Sequence, residues 1–105
     1  MKFTGLIIPF KVQFLEKISK GEKEMTIRTK RYGIPGTLFR IPGVDGMFRI
    51  SDVVTVLFER AADHWAEDGL DSREDFITLW ILLHPIAGWT PTKKVYIHIF
   101  KKVGE

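Results

Sequence analysis

The sequence predicts an α+β domain: a strongly bent mixed sheet or small β-barrel flanked by about three helices. Three observations predict it. The apparent elements run strand, helix, several strands, two helices and strand, which is neither a regular βαβα alternation nor an all-β meander. The last of them, Lys94–Val103, sets Val95, Ile97 and Ile99 on one face and Tyr96, His98 and Phe100 on the other, so both faces are apolar or aromatic. Such a strand belongs in the middle of a sheet. The chain of 105 residues has the bulk for one core, and residues 1–105 are expected to form a single domain.

Each element has its own signal. Residues 2–8 suggest a first strand. Residues 10–20 suggest a helix, with Phe10, Phe14 and Ile18 at a spacing of four. Gly21 ends it as a C-cap, and Lys17 and Lys20 suit its negative end. Residues 24–29 alternate polar and apolar side chains, which predicts a half-buried strand with Met25 and Ile27 inward and Thr26 and Arg28 together on the opposite face. Residues 37–41 form a short strand between two glycine- and proline-containing turns, the second holding the hairpin pair Asp45-Gly46. Residues 47–58 are a longer strand with a bulge or bend at Ser51-Asp52. Residues 60–67 are a short helical or irregular piece, and Gly69 breaks the chain. Ser72 then caps a helix that carries Phe76, Leu79, Trp80 and Leu83 inward, with Pro85 and Gly88 ending it.

Composition narrows the function. Hydrophobic residues make up 45% and charged residues 28%, an ordinary globular balance, and no apolar run approaches the length of a membrane span. The first residues are too short for a signal peptide and cysteine is absent, so a cytoplasmic location is expected without disulfides, thiolate nucleophiles or thiolate metal sites. His64, His84 and His98 are far apart and show no paired metal-ligand spacing, so no metal is expected. There is no Gly-x-x-x-x-Gly-Lys loop and no dinucleotide glycine fingerprint, and no cofactor is expected. Charge is uneven. Residues 1–50 hold ten basic and four acidic residues, whereas residues 51–105 hold six and nine. The basic strip from Lys17 to Arg31, including Lys20, Lys30 and Arg31, suits phosphate contacts. It also suits attraction between two oppositely charged halves, or docking and self-association with a protein partner.

The densest chemistry is Gly21-Glu22-Lys23-Glu24-Met25-Thr26-Ile27-Arg28. Strand alternation alone would send Lys23 to the face away from Thr26, so it must join Thr26 and Arg28 from the turn that Gly21 permits. The group is suited to clamping a phosphate or carboxylate through Arg28. It is also suited to arming Thr26 as a nucleophile with Lys23 as its base, once burial or Arg28 lowers the lysine pKa. The plainer alternative is a wet sheet face. Trp89, in a glycine- and proline-containing loop, is the best aromatic for stacking a base, against the alternative of a loop anchor.

The spacing Gly21-x-Lys23-x-x-Thr26-x-Arg28 after a short helix resembles the signature of the ASCH domain family. Gly36 before Leu38 and Phe39 is similar to that family's strand-opening glycine. Glu67-Asp68-Gly69-Leu70 before the second long helix is similar to its acidic-glycine turn. Thr37 stands where the family often has Asp, and the 86–91 segment has no counterpart. The resemblance implies a PUA-like fold and recognition of RNA or a nucleotide in a basic cleft lined by Lys23, Thr26, Arg28 and Glu67. It implies, as an alternative, a cofactor-free amidohydrolase of the type that removes acetate from N4-acetylcytidine. On that reading Lys23, Thr26 and Glu67 are catalytic, with Asp68 or Glu74 as other candidates for the acid.

Overall fold

The computed structural model describes residues 5–104. Its centre is a curled, half-barrel sheet of four antiparallel strands in the order β1-β4-β3-β2: β1 Met25–Arg28, β2 Leu38–Phe39, β3 Met47–Leu57 and β4 Lys94–Val103. The helices are α1 Val12–Ser19, a single turn α2 Phe58–Ala61 continued by a 3-10 turn Ala62–His64, and α3 Arg73–Leu83. β4 lies between β1 and β3, as its two apolar faces predict, with Val95, Ile97, His98 and Phe100 buried. The bulge expected at Ser51-Asp52 is present: Ile50 opposes Phe100 and Asp52 opposes Ile99, which leaves Ser51 as the extra residue.

Four expectations change in detail. Of the predicted first strand, residues 2–4 lie outside the described residues. The rest makes a single parallel bridge, Ile7 to Arg40, with the Ile8 N–H donating to Arg40 O at 3.0 Å. Pro9 follows and has no N–H with which to extend the pairing. The strand predicted over 37–41 shortens to Leu38–Phe39, because Arg40 turns to that N-terminal segment rather than to β3. Phe58 leaves the strand and opens α2, and Leu83, expected inside, is 40% exposed at the last turn of α3. Among the described residues, no helix is long and apolar enough to cross a membrane.

Two cores flank the sheet. In one, Phe100 meets Phe39 and Phe48 edge to face at 5.6 and 5.8 Å, and α1 adds Phe14 and Ile18. In the other, Phe58 packs against Trp80 at 4.3 Å and Phe76 at 6.0 Å, which fastens α3 over β1 and β4. Edge-to-face geometry sets each ring's positive rim against a neighbour's negative face. The start of α3 is fixed as its sequence suggests: Ser72 is extended, and its hydroxyl accepts from the Asp75 N–H at 3.0 Å. Ser72→Ala leaves that N–H without its cap, so we expect a loss of about 1 kcal/mol in urea denaturation, with the fold unchanged.

Candidate functional site

The end of α1 sets the site. Gly21 takes the left-handed conformation (φ 77°), and the N–H groups of Glu22 and Lys23 both donate to Lys17 O, at 2.8 and 3.1 Å. The chain doubles back there, so Lys23 enters from the turn and ends 2% exposed. Its Nζ donates to Asp68 Oδ1 at 2.7 Å and to the Asp68 carbonyl, and lies 4.8 Å from the centre of the Phe14 ring. Lys17 donates to the next carbonyl, Gly69 O, at 3.1 Å. Gly69 itself has φ 93°, and a Cβ there would lie 3.2 Å from Phe14. Two lysines and a ring therefore hold the Asp68-Gly69 turn in place.

β1 supplies the other half. Thr26 is 5% exposed and its hydroxyl oxygen accepts from Arg28 Nε at 3.1 Å. Arg28 also donates from Nη2 to Pro9 O at 2.6 Å, and its guanidinium lies 4.7 Å from the Phe10 ring and 5.5 Å from the Tyr32 ring. Tyr32 is placed by His98, which stands opposite Thr26 across the β1–β4 ladder and accepts the Tyr32 N–H on Nε2 at 3.1 Å. Burial holds the His98 pKa below its usual 6.5, which keeps the ring neutral and that lone pair available.

These residues line one cavity of about 420 Å³. Lys23, Thr26, Arg28 and Asp68 form its polar wall, and α3 supplies the apolar wall with Phe76, Leu79 and Trp80. Burial pushes the Lys23 amine below its ordinary 10.5, opposed by the Asp68 carboxylate, and pushes the Asp68 carboxyl above 3.8, opposed by Lys23. Both groups move toward their neutral forms. Because the Thr26 oxygen accepts from Arg28, its own O–H is free to donate elsewhere.

The structure sorts the remaining candidates. Glu67 points away: its Oε2 pairs with His64 Nδ1 at 2.6 Å, both half-exposed, beside a separate groove floored by Val54, Val56, Ile97 and Ile99. The acid at Lys23 is Asp68, one residue on. Glu74 is exposed in the first turn of α3. Lys20 is paired with Glu16 on the surface of α1 at 2.7 Å, and Lys30 and Arg31 are exposed just after β1. Trp89 is half-buried against Phe58 at 4.3 Å, outside the cavity lining. Phe10, Tyr32, Asp68's pairing and His98 are brought in by tertiary contact. The one sequence signal for them was the acidic-glycine turn. Among the described residues, no three His, Asp or Glu side chains gather as a metal site would need.

A pH test follows from Lys23. Between its depressed folded value and 10.5, the unfolded chain binds a proton that the folded chain does not, so this residue's contribution to stability rises with pH across that window. The stability of the wild type minus that of Lys23→Met, from urea denaturation at a series of pH values, should climb as pH rises toward 10.5. A flat difference would contradict the burial argument.

No family model and no curated protein matches the sequence. Solved structures do. The ASCH domain from Lactobacillus crispatus JV V101 superposes with a TM-score of 0.69 at 14% identity, over 95% of this chain and 80% of that one. An ASCH protein from Zymomonas mobilis gives a TM-score of 0.66 at 14% identity, over 91% and 68%. Protein EF3133 from Enterococcus faecalis V583 gives 0.72 at 16%, over 98% and 82%. With nearly the whole chain superposed on two ASCH structures, the curled four-stranded sheet and its helices are the fold of the ASCH domain.

Proposed function

We propose that this chain is an ASCH-domain protein whose cavity takes a nucleoside or nucleotide, free or displayed on RNA. The observation that carries this reading is the convergence of Arg28, Lys23 and Thr26 on a space of about 420 Å³ walled by aromatic rings. That volume lies within the roughly 300–1,000 Å³ of small-ligand sites. Phe10 and Tyr32 offer flat apolar surface to a base, and Arg28 offers charge to a phosphate or a carbonyl. Base stacking moves here from Trp89, whose ring is engaged with Phe58. Exposed Lys30 and Arg31 supply phosphate contacts to an attached chain, and Lys20 supplies less because Glu16 competes for it.

A second reading is favoured by one observation, the burial of a lysine amine driven toward neutrality in the same cavity as a threonine hydroxyl. On this reading the protein is a cofactor-free amidohydrolase of an acylated nucleoside such as N4-acetylcytidine. Thr26 Oγ bonds to the acyl carbon and its proton passes to the Lys23 amine. Lys23 returns the proton to the departing nucleoside nitrogen as the C–N bond breaks. Water then cleaves the acyl-threonine ester, releasing acetate and restoring the hydroxyl. Asp68, rather than Glu67, holds the Lys23 amine, and Arg28 stands ready to stabilise an oxyanion.

Two measurements test these readings. Cytidine monophosphate binding should weaken roughly ten- to a hundredfold in Arg28→Ala, as expected for a lost charge-assisted hydrogen bond, and should weaken with added salt. Affinity indifferent to both changes would overturn the binding reading. Chromatographic assay of N4-acetylcytidine turnover should show cytidine release by the wild type and none by Lys23→Ala or Thr26→Ala. Release that survives both substitutions would overturn the mechanism.

A further inference from the structure

His84 lies just beyond α3, where Pro85 stops the helix, and its ring is stacked on Trp80 at 4.4 Å with the planes 20° apart. Its Nδ1 is 3.1 Å from the Trp80 carbonyl oxygen. A carbonyl oxygen only accepts, so Nδ1 is the donor. In the neutral imidazole the proton is therefore on Nδ1 and the lone pair on Nε2. The helix end and the indole together fix which nitrogen accepts and how the ring is turned. His84 lines the same cavity as Lys23 and Thr26, and among the described residues its Nε2 has no partner.

The cavity has a depth axis. Lys23 and Thr26 are 2% and 5% exposed at its floor, whereas His84 is half-buried beside the 40% exposed Leu83 at its rim. A nucleoside whose base reaches the polar floor leaves its sugar at the rim, where an attached RNA chain would also have to leave. We infer that His84 Nε2 is the rim acceptor for a ribose hydroxyl, and so a specificity residue that selects nucleosides over free bases. The inference rests on the nucleoside reading of the cavity and adds the sugar contact to it. His84 is offered as a ligand-positioning group that takes no proton in any chemical step.

The test compares cytidine with cytosine on the wild type and on His84→Phe, a variant that keeps a ring on Trp80 but has no acceptor. A neutral hydrogen bond of roughly 0.5–1.5 kcal/mol corresponds to a loss of about two- to twelvefold. We expect that loss for cytidine and none for cytosine, measured by calorimetry. Equal loss for both ligands, or none for either, overturns the sugar contact while leaving the nucleoside reading intact. A wild type that binds neither ligand overturns both. Nitrogen-15 shifts of the His84 ring in the free protein give an independent check. The proton should reside on Nδ1, and an Nε2–H ring overturns the inference whatever the ligands do.

Discussion

A lysine amine taken out of water must either keep a partner or give up its proton, and much of this molecule is arranged around that constraint at Lys23. Desolvating a single charge costs several kcal/mol even after the surroundings relax. The fold answers with an acidic turn set against α1: Asp68 offers its carboxylate and its carbonyl to Nζ, and Lys17 secures the adjoining Gly69 carbonyl. The glycines at either end of the contact serve the same constraint. Gly21 reverses the chain so that Lys23 faces inward, and Gly69 takes a φ of 93° that side chains rarely adopt, with Phe14 so close that a Cβ would lie a tight 3.2 Å from it. An apolar pair of similar shape would hold the two segments together at least as well. A buried titratable pair beside a cavity is the feature that marks that cavity as a candidate site.

Arg28 illustrates how register becomes geometry. β1 pairs with β4 so that Thr26 faces His98 and Arg28 faces Tyr96. That pairing brings the His98 lone pair under the Tyr32 amide, and the guanidinium lies within reach of both the Tyr32 ring at 5.5 Å and the Phe10 ring at 4.7 Å. With Pro9 O and Thr26 Oγ1 accepting two of its donors, Arg28 retains N–H groups in a fixed fork. A one-residue slip of β1 would turn Thr26 and Arg28 to the face now occupied by Met25 and Ile27 and dismantle the site.

Local chemistry was readable in the sequence wherever it depended on neighbours along the chain. The Gly21 stop, the Ser72 cap, the Ser51 bulge and the two-faced central strand each follow from a few adjacent residues. So does the grouping of Lys23 with Thr26 and Arg28 through the turn. What was not readable depended on distant contacts. Glu67 and Asp68 are equivalent carboxylates by composition, and the fold of the 64–70 turn decides which meets Lys23. In that turn the Asp68 and Leu70 N–H groups donate to His64 O and Trp65 O, and the turn presents Asp68 inward while Glu67 falls beside His64. Trp89 resembles an exposed loop aromatic, yet Phe58 begins a helix and offers it a ring. Leu83 keeps the helical spacing of the core, but the apolar wall it would join is the open wall of a cavity.

That opening has a structural cause. The two aromatic cores meet the sheet on different sides of the site, and Leu70, immediately after the Asp68-Gly69 turn, packs against both of them. The turn thus touches Lys23 through its carboxylate, Phe14 through its glycine, and each core through its leucine. Interiors are packed closely enough to transmit small displacements. The Lys23–Asp68 contact is thus one point of a junction between the end of α1, the turn and both cores. The apolar face of α3 that borders the cavity is held by the same Phe58 cluster that the turn adjoins. The polar wall and the apolar wall of the cavity are therefore anchored in common at residues 68–70, Asp68 holding Lys23 and Leu70 packing against the cluster that carries Phe76 and Trp80.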